Sequence, residues 1–279
     1  MTLREAYEYG QEQLKIVGIE NAMLDAWYLL EHVTKISRAQ YFLRMNEGMT
    51  QQQEEQYKKA IAIRAQHIPL QHITGVQEFM GLEFGINEHV LIPRQDTEVL
   101  VESVLDILQP GMDILDMCTG SGCILISLLK LMEGREKVTG VGADISEEAL
   151  KVATKNAESL GVDAVFVRSD LFANIQGKYD VIVSNPPYIR TAVIEELQEE
   201  VKFHDPLLAL DGKEDGLYFY KRIIQESSQF LKPNGKLYFE IGHDQGMDVK
   251  QLMEAAGFQK VTVKKDLTGL DRVVFGVYI

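Results

Sequence analysis

Proline, cysteine, basic residues and long apolar runs are all scarce in this chain, and each scarcity removes a class of protein. There are 7 Pro and 22 Gly in 279 residues, which excludes a collagen-like or Pro/Gly-rich disordered polymer. The two cysteines, Cys118 and Cys123, make neither a disulfide framework nor a CxxC pair, a usage that fits a reducing compartment. No apolar run approaches the ~18 residues of a membrane span; Ile124–Leu129 is closed at once by Lys130. The start, Met1-Thr2-Leu3-Arg4-Glu5-Ala6, opens a polar amphipathic stretch rather than an apolar signal core. A soluble, cytoplasmic protein is expected. Lys+Arg number 28 against 42 Asp+Glu, a net charge of −14. Phosphate backbones and anionic membranes demand a basic footprint, so neither nucleic acid nor a membrane is an expected partner.

What is present suits a globular chain. Hydrophobic residues make up 46% and charged residues 25%, enough for one large domain or two unequal ones. Residues 1–75 read as a bundle of four or five helices. Leu3, Ala6, Tyr7, Leu14 and Val17 share a face, with Gly18 as a stop; Ala22, Ala26, Leu29, Leu30 and Val33 repeat the pattern. Ser37…Gln40 and Thr50…Gln53 have capping-box spacing, so two further helices are expected there, the second running to about Gln66 before Pro69. Trp27 belongs to the expected core.

Residues 76–92 change grammar. Phe79, Leu82, Phe84, Ile86, Val90, Leu91 and Ile92 are interrupted by Gly81, Gly85 and Asn87, which predicts a β-hairpin linker. Beyond it strands and helices alternate. Strands are expected at Asp113–Met117, Val138–Ala143, Ala164–Arg168, Asp180–Ser184, Gly235–Ile241, Val261–Lys265 and Arg272–Tyr278. The last two are joined by a short Gly-containing turn, so the final strand should run antiparallel. The pattern predicts an α/β fold, a doubly wound and mostly parallel seven-stranded sheet over residues 93–279, with ligands beyond the carboxyl ends of its strands.

Those strand ends carry the chemistry. The first ends in Asp116-Met117-Cys118-Thr119-Gly120-Ser121-Gly122 before an apolar helix, Cys123–Leu131. Small residues let a ligand approach the backbone. The loop lacks the third glycine of a dinucleotide fingerprint and matches [DE]-x-G-x-G-x-G of S-adenosylmethionine enzymes, with Cys118 in the first glycine's place; a simple tight turn is the alternative. Asp144, at the second strand end, is placed to accept both ribose hydroxyls, or else to help cap the helix opening at Ser146. Asp170 and Leu171, at the third, suit an adenine amino group and ring.

The fourth strand ends in Ser184-Asn185-Pro186-Pro187-Tyr188-Ile189. Two prolines hold the loop extended and rigid. The Asn185 side-chain oxygen and the Pro186 carbonyl are acceptors suited to a planar NH2 group, with Tyr188 as a stacking face. Pro93-Arg94-Gln95-Asp96-Thr97-Glu98 precedes a helix that Asp96 or Thr97 can cap, while Arg94 can meet a cofactor or substrate carboxylate. Glu240, in Phe239-Glu240-Ile241-Gly242, either shapes the target pocket or is a satisfied strand-end carboxylate. None of the six histidines falls in these loops and no HExxH or CxxC spacing occurs, so no metal is expected.

Asn-Pro-Pro-Tyr in this position is similar to the target loop of class I methyltransferases acting on amide or exocyclic amino nitrogens. With Pro69-Leu70-Gln71-His72-Ile73-Thr74-Gly75 and Leu91-Ile92-Pro93-Arg94-Gln95-Asp96-Thr97-Glu98, the chain resembles the HemK/PrmC family over essentially its whole length. These are the release factor glutamine methyltransferases. The resemblance implies a helical substrate-docking domain (1–75), a hairpin linker (76–92) and a Rossmann-like catalytic domain (93–279). It further implies methylation of the Gly-Gly-Gln glutamine of peptide-chain release factors. The cofactor would be S-adenosylmethionine, held by Cys118, Thr119, Gly120, Ser121, Gly122, Asp144, Asp170, Leu171 and Asn185; Asn185, Pro186 and Tyr188 would act in catalysis, and Pro187 would join them at the substrate. A monomer is the expected state.

Two other functions compete. An adenine-N6 type nucleic-acid methyltransferase would use the same loop, yet Glu195, Glu196, Glu199, Glu200 and Asp205 follow it, with only Arg190 and Lys202 as nearby cations. A non-catalytic nucleoside-binding protein would have no need of Asn185 and Tyr188 beside the cofactor loop. Residues 1–75 carry 8 basic and 9 acidic side chains, whereas the remainder carries 20 and 33. The acidity therefore belongs to the catalytic part, where it would attract a basic protein segment.

Overall fold

The computed structural model describes residues 1–133 and 138–279. Two compact units result, Met1–Val76 with Glu199–His204, and Gln77–Gln198 with Asp205–Ile279. The hairpin thus groups with the second unit, and a short stretch after the Pro-Pro loop groups with the first.

The first unit is helical: α1 (Leu3–Ile16), α2 (Ala22–Thr34), α3 (Arg38–Arg44), α4 (Gln51–Arg64) and α5 (Leu70–Thr74). Both expected capping boxes form, and Thr2 with Glu5 makes another at the start of α1. Each satisfies backbone N–H groups that the helix leaves unpaired, at about 1 kcal/mol apiece. Gly18, at φ 80°, turns the chain after α1. Trp27, Tyr7 and Tyr41 pack edge to face, 5.3–6.2 Å between centroids. Tyr57 is fully buried and donates to the Ala26 carbonyl at 3.0 Å. Its hydroxyl lies where a Cβ on Gly10 would stand, 2.1 Å away, so glycine is required there.

The second unit begins with the hairpin, β1 (Val76–Phe79) and β2 (Leu82–Gly85), whose turn residues Met80 and Gly81 both have positive φ. The sheet follows, with α6 (Glu98–Leu105), β3 (Asp113–Met117), α7 (Cys123–Leu131), β4 (Thr139–Asp144), α8 (Glu147–Leu160), β5 (Val165–Arg168) and β6 (Tyr179–Ser184). After β6 come α9 (Glu199–His204), which belongs to the first unit, then α10 (Leu207–Leu210), α11 (Tyr218–Ser227), β7 (Leu231–Glu240), α12 (Gly246–Ala255), β8 (Gln259–Lys265) and β9 (Asp271–Val277).

The strand order is β5-β4-β3-β6-β7-β9-β8, parallel except for β9. Side chains alternate between two cores: Ile114, Val181, Val183, Tyr238 and Val273 face one, while Leu115, Ile182, Leu237, Phe239 and Val274 face the other. The order reverses between β3 and β6, and the crevice at that switch point is where a ligand sits in such sheets.

Candidate active site

A cavity of about 390 Å³ opens at the switch point, a size suited to a small-molecule cofactor. Cys118, Thr119, Gly120, Ser121, Asp144, Asp170, Leu171, Asn185 and Pro187 line it. Gly122, Pro186 and Tyr188 are not among the lining residues; Pro186 is buried, and the Tyr188 ring packs against the core that contains Tyr220 and Phe239.

The loop after β3 is held from within. Thr119 donates its hydroxyl to Asp116 Oδ2 at 2.5 Å and its N–H to the Ala143 carbonyl at 3.0 Å. Asp116 is fully buried and its Oδ1 has no hydrogen-bond partner among the described residues. Burial pushes its carboxyl up to about 7, against the pull of Thr119. Cys118 sits at φ 63°, the left-handed region where glycine carries no penalty. The substitution of Cys118 for glycine therefore strains the backbone. Burial drives both thiols up, Cys123 to about 12, so neither is a thiolate nucleophile.

Asp144 is bonded to the backbone on two sides. Oδ2 accepts the Gly120 N–H and Oδ1 accepts the Ser146 N–H, each at 2.9 Å, while Ser146 itself caps α8. Each carboxylate oxygen keeps a further lone pair for a hydroxyl in the cavity. Asp170 receives Arg222 Nη1 at 2.9 Å, and that guanidinium lies over the Tyr218 ring.

The Pro-Pro loop is bracketed by groups with no local sequence signature. Ile189 and Gly212 exchange backbone bonds with neighbouring residues of the 210–212 and 189 segments, Ile189 N–H to Leu210 at 3.0 Å and Gly212 N–H to Ile189 at 2.8 Å. A Cβ on Gly212 would stand 2.7 Å from the Tyr188 backbone. Buried Gln245 donates to the Tyr188 carbonyl at 3.0 Å and to Gly216 at 3.3 Å. Ser184 Oγ bonds the Met117 carbonyl at 2.6 Å, tying the end of β6 to that of β3.

The Pro93–Glu98 segment does not cap its helix through Asp96 or Thr97, as neither side chain makes a cap hydrogen bond. Asp96 instead pairs with Arg272 at 3.1 Å, Thr97 Oγ1 accepts Asn185 Nδ2 at 3.5 Å, and Glu98 accepts the Met80 N–H at 2.8 Å. Arg94, expected at a cofactor or substrate carboxylate, is paired within the protein with Asp205 at 2.8 Å. Sequence reasoning missed Asn156, which donates to Ser121 at 2.9 Å and to Gly85 at 3.2 Å and accepts the Gly85 N–H. It also missed Tyr218, Phe219 and His89 on the cavity wall. Among the described residues, no cluster of three or more His, Cys, Asp or Glu side chains is placed to hold a metal ion. No described helix is long and apolar enough to cross a membrane.

Similarity to known proteins extends over nearly the whole chain. Residues 5–75 match the PrmC N-terminal domain and residues 95–201 the methyltransferase small domain. The release factor glutamine methyltransferase of Moorella thermoacetica is 41% identical over 278 residues, 98% of this chain and 97% of its own. The Agrobacterium fabrum enzyme of the same name is 39% identical over 273 residues, 95% of this chain and 93% of its own. The chain belongs to the release factor glutamine methyltransferase family. In fold, it superposes on a methyltransferase from Pyrococcus furiosus with a TM-score of 0.52 at 16% identity, covering 71% of this chain and 89% of that one. For a release factor glutamine methyltransferase the two-part matches are informative, since the helical region is matched by a model of its own rather than by a general methyltransferase one.

Proposed function

We propose that the chain transfers a methyl group to the side-chain amide nitrogen of the Gly-Gly-Gln glutamine of peptide-chain release factors, in the cytoplasm and as a monomer. The observation that carries it is the Asn185-Pro186-Pro187-Tyr188 loop, pinned at the sheet's switch point beside a cavity lined by Asp144 and Asp170. The residues present fit S-adenosylmethionine. Asp144 and Asp170 offer acceptors to ribose hydroxyls and an adenine amino group, Leu171 and Phe219 offer apolar wall, and the carboxylates favour a cation. Cys118, Thr119, Gly120, Ser121 and Gly122 form the loop that would lie along it. S-adenosylmethionine supplies an activated sulfonium methyl when bound.

The protein's task is positioning, because an amide nitrogen is a poor nucleophile whose lone pair is delocalised into its carbonyl. Asn185 Oδ1 and the Pro186 carbonyl accept the two N–H groups of the target and orient its nitrogen, with Pro187 and Tyr188 holding the loop's shape. Orientation of this kind supplies up to ~7–11 kcal/mol, and preorganised acceptors stabilise the positive charge that grows on the nitrogen. The proton leaves after transfer, so no strong base is needed. The acidic composition after the loop, Glu195 to Asp205, favours a protein over a phosphate backbone as substrate.

Labelled S-adenosylmethionine offered with a release factor, its Gln-to-Ala variant, DNA and RNA tests this. Label is expected on the intact release factor alone; label only on nucleic acid, or nowhere, overturns it. Asn185→Ala should lower transfer at least ~100-fold while leaving cofactor binding largely intact by calorimetry.

A further inference from the structure

Glu240 is the last residue of β7, and the mechanism above does not use it. It is 2% exposed, and its Oε2 has no hydrogen-bond partner among the described residues. Ser184 pairs with Phe239 across β6 and β7, so Asn185 and Glu240 leave the sheet side by side. Asn185 Nδ2 reaches Thr97 Oγ1 at 3.5 Å, and both Thr97 and Asn185 stand against the Glu240 carboxyl. A structural carboxylate so deeply buried would be paired with a cation. Arg272 is close enough to be felt but is bonded to Asp266 and Asp96.

A carboxamide can sit either way round in its pocket, and only one way presents oxygen to the target. With Glu240 ionised, the reversed orientation would set the Asn185 oxygen against another acceptor. We propose that Glu240 is a positioning residue, holding the Asn185 NH2 group together with Thr97 so that Asn185 Oδ1 faces the substrate amide. This rests on the transfer reaction proposed above. Burial pushes Glu240 up to about 7, so the hold strengthens as pH rises through neutrality. The other titratable or charged groups around it are Asp96 and Arg272, Tyr188, Tyr220 (whose hydroxyl bonds the Glu240 carbonyl at 2.9 Å) and Cys123.

Two measurements test it. In full-length enzyme with labelled asparagine side chains, the Asn185 carboxamide resonance, identified by its loss in Asn185→Ser, is followed over roughly pH 5.5–8.5. It should move with pH in the parent and stay still in Glu240→Gln; an immobile parent resonance, or the same movement in Glu240→Gln, overturns the proposal. In single-turnover assays Glu240→Leu should lose about tenfold or more in rate, with Glu240→Gln restored to within about threefold and cofactor affinity unchanged in both. Equal loss in Leu and Gln variants, no loss in Leu, or a parallel fall in cofactor affinity overturns it. If the parent methylates no release factor, the proposed function fails, while the resonance measurement still decides the role of Glu240.

Discussion

The helical unit and the sheet unit both bury carboxylates, and they treat them differently. Asp25, on α2, is met by Arg64 Nε at 2.7 Å, and the same guanidinium serves the Ile68 carbonyl at 3.0 Å and Glu200 at 2.5 Å. Arg64 is 4% exposed, and its hydrogen bond holds down a carboxyl that burial alone would raise further. In the sheet unit Asp116 and Glu240 are as deeply buried, each with an oxygen that lacks a hydrogen-bond partner among the described residues. Both are pushed up to about 7, by burial in each case. The helical unit pairs its buried carboxylate; the sheet unit pairs Asp205 with Arg94 but leaves acceptors open on Asp116 and Glu240, where they cost stability.

The largest effect separating the two should come from Arg64→Ala. It strands Asp25 without its cation and is expected to destabilise the helical unit by ~3–5 kcal/mol, read by chemical denaturation. The double variant Arg64→Met with Asp25→Leu should recover most of that loss. A loss below ~1 kcal/mol would mean the pair behaves as a surface one.

Next comes pH. For Asp116 and Glu240 the folded pKa lies above the unfolded value, so the native state holds protons that the unfolded chain has released. Their contribution is fully present below about pH 4 and is lost as pH rises through about 7. Asp116→Asn should therefore flatten the fall in melting temperature between those limits, while Asp25→Asn should lower stability where Asp25 is ionised and paired with Arg64. Parallel curves for parent and Asp116→Asn would break the contrast.

The smallest effect should be at Cys118. Glycine at φ 63° relieves a left-handed strain of about 1 kcal/mol, so Cys118→Gly is expected to raise the melting temperature slightly, by calorimetry, whereas Cys118→Val lowers it. A destabilised glycine variant would show that the thiol's packing outweighs the backbone strain.

Periodicity and turn chemistry are local, and what they could report was readable in the residues. The boxes at Ser37 and Thr50, the helix Cys123–Leu131 and the alternation along β3 and β6 all lie within a few residues of their causes. The loops Asp116–Gly122 and Asn185–Tyr188 stood out because small residues and prolines restrict the backbone wherever they occur. The supports of those loops were invisible for the opposite reason. Gln245 meets Tyr188 across 57 positions and Asn156 meets Gly85 across 71, with no pattern near either that requires the pairing. Thr97 and Asp96 misled because a polar pair before a helix is an ordinary cap, and only the tertiary partners Asn185 and Arg272 claim them.

Asn156 has a thermodynamic consequence. One carboxamide closes on the hairpin strand at Gly85 and on the loop at Ser121. A shift of this one side chain unpairs groups on both segments, which couples their opening. A ligand that quiets the loop is then expected to slow amide exchange at Gly85 as well. The hairpin is in that sense a gauge of occupancy for the cavity beside it.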